Sequence, residues 1–328
     1  DAFSKNDRER VWLHRGLWPA RWVSCQDAGN PPFVTAYRKR FTLDKDAVIT
    51  VRVSADERYE LFLDGKRIGR GSERGDVSNW FYETYAIPLT KGENVLAARV
   101  WSLGQNAPFA QMTFSPGFIF AVEGELGSEL STGTSEWEAK RLDGYEFTDA
   151  SPAWGTGWNL VVHGDRFDWG FETGDGEGWK AAVPGDFGAN ALTRNEVAPT
   201  HLMKPAGLPA MLEQEVYAGS VRFAADVPSA DTRPIAVRAQ DNMTSELDAW
   251  NLIHGKGAIT VPPGTRKRVI FDLENYYCAY PELVASGGTL NLFCYSIPII
   301  WLIAAGALAW MHYAIRMAER VEWPEQRE

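Results

Sequence analysis

Metal or acid–base chemistry in this chain would have to start from five histidines, His14, His163, His201, His254 and His312, and their spacing supports neither. None forms H-E-x-x-H or an i, i+4 pair that could hold a metal from one helix face. No G-x-S-x-G elbow occurs, so a nucleophilic serine has no expected setting. Gly69-Arg70-Gly71 begins like a dinucleotide loop, but Arg74 stands where the third glycine belongs and no helical pattern follows, so a turn between strands is expected. Cys25, Cys278 and Cys294 lack C-x-x-C spacing and point to neither a zinc knuckle nor a disulfide framework. Asp175 and Glu177, in the acidic glycine-rich loop 172–178, could offer oxygens to calcium, although their spacing misses the EF-hand loop. No other cofactor is expected. The remaining chemistry is recognition: Trp80, Phe81, Tyr82 and Tyr85 cluster beside Asp76 in 75–85 (GDVSNWFYETY). Such rings stack on the apolar faces of sugars, and the same alternation fills a sandwich core; the spacing allows both.

The elements that would position these residues read as strands. Of 328 residues, 33 are Lys or Arg and 43 Asp or Glu, a formal charge of −10 that argues against a nucleic-acid partner. At 45% hydrophobic and 23% charged, the chain should fold, and 14 Trp with 30 Gly and 18 Pro suit short strands joined by many turns. Residues 47–53 alternate, with Ile49, Val51 and Val53 opposite Thr50 and Arg52. Asp64-Gly65 between apolar runs is a strong hairpin signal. Residues 94–101 are apolar on both faces, as in a central strand. Further alternation is read at Ile235, Val237 and Ala239, at Leu247 and Ala249, and at Val269, Phe271 and Leu273. No stretch of 1–280 keeps a helical apolar period for three turns.

The expected fold is therefore all-β, with two β-sandwich modules. Residues 1–183 form the first, with a loop-rich, tryptophan-rich extension over 124–180. The Pro- and Gly-rich 184–211 is expected as a connection, and 212–288 as the second module. From Leu283 to Ile315 there is no charged side chain, and 297–315 (IPIIWLIAAGALAWMHYAI) is long enough, as a helix of about 28 Å, to cross a bilayer. An apolar helix is expected over 296–318, and Arg316 and Arg320 would set its cytoplasmic end. The alternatives are a buried core helix and out-of-frame sequence. Residues 1–20 hold no signal-like apolar run, and the chain begins at Asp1, so its true N-terminus is expected upstream. Location outside the cytoplasm or at a membrane is expected.

Several ordered stretches resemble one family. Residues 55–71 (ADERYELFLDGKRIGRG) and 79–101 (NWFYETYAIPLTKGENVLAARVW) resemble the galactose-binding-like N-terminal sandwich of bacterial α-L-rhamnosidases, with Asp64-Gly65 where that family usually has Asn-Gly. Residues 163–182 (HGDRFDWGFETGDGEGWKAA) are similar to its G-E-x-[FY]-D-…-W-x-x-A segment, placing Asp165, Asp168 and Trp179 on the pattern. Residues 202–211 (LMKPAGLPAM) resemble its R-x-I-P-x-M connector, with Lys204 for Arg, and 258–288 resemble the last strands before its catalytic domain. The resemblance implies an accessory scaffold for an (α/α)6 barrel whose carboxylates cleave rhamnosides with inversion. After Gly287-Gly288 the sequence departs from that pattern, so no catalytic residue is carried over and the chain alone is expected to be inactive. The partner implied is a rhamnose-containing glycan. Asp76, Trp80, Tyr82, Asp165, Asp168 and Trp169 are its expected contacts. The alternative expectation is a carbohydrate-binding protein tethered to a membrane through 297–315, without hydrolase activity.

Overall fold

The computed structural model describes residues 16–108, 112–148, 159–190, 201–209, 214–217, 219–227, 237–254, 257–262, 264–275, 277, 291–295 and 316–322, the last two as backbone. They divide into two compact units, 1–160 with 166–210 and 161–165 with 211–328.

The first unit opens with β1 (Leu17–Ser24), β2 (Phe33–Leu43), β3 (Ala47–Asp56), β4 (Arg58–Leu63), β5 (Lys66–Gly71), β6 (Trp80–Leu89) and β7 (Gly92–Ser102). It continues with β8 (Gly117–Val122), β9 (Glu138–Arg141), β10 (Tyr145–Thr148), β11 (Asn159–Val162), which runs across the division between units, β12 (Lys180–Ala181), β13 (Val183–Asn190) and β14 (Leu202–Pro205). One layer closes into a barrel in the order β1-β13-β14-β6-β3-β8, and the other is a six-stranded sheet, β12-β9-β2-β7-β4-β5. The expected sandwich thus has one layer rolled shut. The connection expected at 184–211 instead supplies two barrel strands, β13 and β14, which pair in parallel.

The alternation read at 47–53 is borne out, and both faces are used. Ile49, Val51, Val53 and Ala55 join Leu96, Ala98, Val100, Phe118 and Phe120 in the core between the layers. The opposite face looks into the barrel, where Trp18, Ala20, Trp22, Trp80, Tyr82, Ile119, Ala121 and Met203 pack together. Arg52 shares that interior at 5% exposure, and its guanidinium lies 2.7 Å from Glu123, as a buried charge requires. The Asp64-Gly65 hairpin is also present, with φ of 48° and 80° at its two turn residues.

Two consecutive buried carboxyls latch the connection between β7 and β8. Asp56 Oδ2 accepts hydrogen bonds from the Phe114 and Ser115 amides, both at 2.7 Å, and lies 2.9 Å from His201 Nε2. The His201 ring is walled by Trp22 at 4.4 Å and Trp80 at 4.5 Å, so this pair is a clasp within the fold. Glu57 Oε1 accepts from the Leu103 and Gly104 amides. Burial is the main cause pushing the Glu57 carboxyl from 4.5 up to about 7.

In the second unit, β15 (Ser220–Asp226), β16 (Lys267–Asp272), β17 (Asn291–Tyr295) and β18 (Arg316–Glu322) form one antiparallel sheet in the order β15-β16-β18-β17. A helix, Leu247–His254, covers one face, with Trp250 packed on Val221, Ala224, Val269 and Phe271. Among the described residues this is a sheet with a helix rather than a second sandwich. The alternation at Leu247 and Ala249 was misleading, because the Leu247–Trp250 spacing of a helix buries the larger ring. Ala239, also read as strand, begins a 3-10 turn, Ala239–Asp241. Residues 297–315 lie outside the described residues, and Arg316–Ala318, at the end of the expected 296–318 helix, are strand. Among the described residues, no helix is long and apolar enough to cross a membrane.

Two outcomes are expected. At Gly65, φ is 80° and an added Cβ would meet Thr173 Cγ2 at 2.8 Å, so Gly65→Ala should cost about 1 kcal/mol or more in urea unfolding. For Glu57, the folded state keeps a proton between pH 4.5 and about 7 that the unfolded chain releases. Its contribution is fully present below that window and is lost as pH rises through it, so stability falls with pH. Glu57→Gln should remove that fall, of order 3 kcal/mol, in denaturation midpoints measured from pH 4 to pH 8 (about the window's edges).

Candidate functional site

The outer face of the six-stranded sheet is apolar where β2, β7 and β4 meet: Val34, Ala36, Phe62 and Ala97 are buried there. A face of that kind must be covered, and residues from 142–148 and 166–179 cover it. Phe171, fully buried, plugs into it edge-on to Phe62 at 5.7 Å, with Tyr145, Phe147, Phe167 and Trp179 around it. Gly170 and Gly174, at φ of 82° and 72°, bracket the short turn Phe171–Thr173 that drives the ring inward.

Polar contacts fix the rest of the loop. Arg38 donates to the Gly174 carbonyl, and Arg40 donates to Asp175 Oδ1 at 3.1 Å. The Trp179 ring lies under two cations, Arg38 at 4.5 Å and Lys140 at 5.0 Å. Lys140, on β9, keeps only 4% of its side chain exposed and bonds Asp168 Oδ1 at 2.8 Å, while the Asp143 amide donates to Asp168 Oδ2 at 2.7 Å. Asp168 therefore ties loop to sheet with both oxygens. Trp169, the next residue, is 71% exposed, with its ring 4.7 Å from Phe167. A large ring on a pinned loop is a ready stacking surface.

Asp168 also lines an open cleft of about 310 Å³, with Cys25, Asp27, Lys140, Arg141 and Lys180. Lys180 and Asp27 pair at its rim, which raises the lysine pKa through the hydrogen bond and charge of Asp27. Burial pushes the Cys25 thiol up, so it is a poor thiolate. Ammonium and carboxylate groups around a shallow cleft can bond the hydroxyls of a polyol and offer no activated nucleophile.

The expected contact residues fall into separate places. Asp168 lines this cleft, whereas Trp169, the next residue along the loop, stands exposed against Phe167 and is not part of the lining. Asp76 closes its own turn, accepting from the Ser78 amide and the Asn79 side chain, and those bonds, Asn79's first, hold its carboxyl below the usual range. Trp80 and Tyr82 are 5% and 4% exposed inside the barrel, which is the core arrangement their alternation allowed. Asp165 is exposed in the segment that groups with the second unit. Both oxygens of Asp175 are engaged, one by Arg40 and one by Thr173 at 2.6 Å, and no cluster of three or more metal-ligating side chains occurs among the described residues. The sequence reading missed Lys140, Asp27 and Lys180; a lysine amid the short run 138–141 carries no local sign that it faces a tryptophan. Phe171→Ala should cost about 3 kcal/mol or more and raise protease sensitivity within 164–179, read by denaturation and limited proteolysis.

No protein-family model matches the chain, and no curated protein matches it. Solved structures do. A GH78 family rhamnosidase of Bacillus sp. GL1 aligns at a TM-score of 0.53 and 21% identity, over 64% of this chain and 22% of that one. An α-L-rhamnosidase from Dictyoglumus thermophilum aligns at 0.41 and 16% identity, over 78% of this chain and 25% of that one. A lectin of Pleurotus ostreatus aligns at 0.31 and 22% identity, over 53% of this chain and 42% of that one. The chain thus spans about a quarter or less of the rhamnosidases it matches. Over about two thirds of its length it has the fold of part of a GH78 rhamnosidase.

Proposed function

We propose that this chain is an accessory, non-catalytic β-sandwich portion of a rhamnosidase-like glycoside hydrolase, and that it holds rhamnose-containing glycans at the Lys140–Asp168 cleft. The observation that carries the reading is Trp169, 71% exposed on a loop that Phe171 and Asp168 hold in place. A sugar ring gives up little entropy to a surface already rigid, and an apolar sugar face on an indole gains both burial and contact. Lys140, Asp168, Asp27 and Lys180 supply charged donors and acceptors for sugar hydroxyls. The Bacillus sp. GL1 relative is a rhamnosidase, which favours rhamnose as the sugar, and the five ordered stretches that resemble that family agree with it.

Calorimetric titration with rhamnosyl oligosaccharides tests the proposal. Trp169→Ala should weaken binding about tenfold while the circular dichroism stays unchanged. Absence of binding to every rhamnose-containing glycan, or wild-type affinity in the alanine variant, would sink it. Turnover of an aryl α-L-rhamnoside by the chain would contradict its non-catalytic part.

A further inference from the structure

A second pocket of about 430 Å³ adjoins the cleft, because Arg141 and Asp143 line both. Its other walls are Leu142, Gly144, Tyr145 and Arg166. Charges in the main cleft are largely matched: Lys140 pairs with Asp168 and Lys180 with Asp27. The second pocket is different. It holds two guanidiniums against one carboxylate, Asp143, whose backbone amide is committed to Asp168. Arg141 is steadied by donating one Nη to the Ala28 carbonyl at 3.0 Å, which leaves further N–H groups of its fork. Arg166 is exposed, and among the described residues no carboxylate takes up its charge. The Tyr145 hydroxyl accepts from Arg99 at 3.0 Å and so presents its proton as a further donor.

We infer that this pocket is a subsite for a carboxylate on the bound glycan, so that the preferred ligand is acidic: a uronic acid joined to the sugar stacked on Trp169. The inference rests on the proposed carbohydrate-binding reading and adds the ligand's charge to it. Guanidinium forks match carboxylate geometry with paired N–H donors, which an uncharged hydroxymethyl group cannot use equally. Sharing Arg141 between the two pockets places the acid one residue along the glycan from the Lys140–Asp168 pair, and the combined space suits a disaccharide.

The test is calorimetric titration of the whole chain with a rhamnosyl-uronic acid disaccharide and with its carboxyl-reduced counterpart, at low and high salt. Binding of the acid form should be about tenfold tighter at low salt, and the gap should narrow as salt rises. Arg166→Gln should bring the two affinities together, chiefly by weakening the acid form. Equal affinities for both disaccharides in the wild type would overturn the inference and leave the carbohydrate reading standing, as would a preference that survives in both Arg166→Gln and Arg141→Gln. Binding of neither disaccharide would overturn both.

Discussion

The apolar outer face of β2, β7 and β4 is the constraint on which the rest of the first unit depends. A strand such as β7 is buried on both sides, with Leu96, Ala98 and Val100 toward the barrel and Ala97 away from it. Left bare, that outer face would be a continuous apolar patch of the kind soluble domains do not tolerate. Covering it needs a segment that can carry a large ring inward from irregular backbone. Phe171 between two left-handed glycines does this. Burying such a ring is worth about 2–3 kcal/mol, whereas exposed pairs such as Arg40–Asp175 are screened by water and add little. The ring therefore holds the loop, and the ion pairs set its register. Trp169 is left outward because its neighbours' inward commitments fix the direction of the backbone between them.

What could be read from the sequence follows from how local each signal is. The hairpin at Asp64-Gly65 and the strands at 47–53 and 94–101 were legible, since turn chemistry and period-two burial act over a few residues. The barrel strands β13 and β14 were not. Their partners lie far along the chain, β14 is four residues long, and most of β13 is exposed, so neither shows alternation. Trp80 and Tyr82 show why a pattern can be right and its meaning open: alternation places both on one face, and only closure of the barrel says that this face is interior. At the site, Asp168 stood on a recognisable motif, while Lys140 met Asp168 only through the return of the loop. Side chains brought together by tertiary packing leave no spacing to read.

The cations of the first unit also have a shared logic. Arg38, Arg40, Arg99 and Lys140 rise from the strands beneath the covering segment, and each meets an acceptor or a ring there: Glu138, Asp175, Glu60 and Trp179 among them. A chain of net charge −10 still sets two guanidiniums, Arg141 and Arg166, in one pocket with a single carboxylate, apart from its more distant acidic groups. Screening makes that separation effective. At physiological salt, charges more than about 8 Å apart and exposed to water are largely hidden from each other, so a bound group responds to the guanidiniums it touches rather than to the whole chain. Net charge acts earlier, on encounter, where it slows the approach of an anionic glycan. For the glycan proposed at this sheet, affinity would therefore rest on dissociation: the ligand must fit the polar cleft closely enough to stay, since nothing in the overall field draws it in.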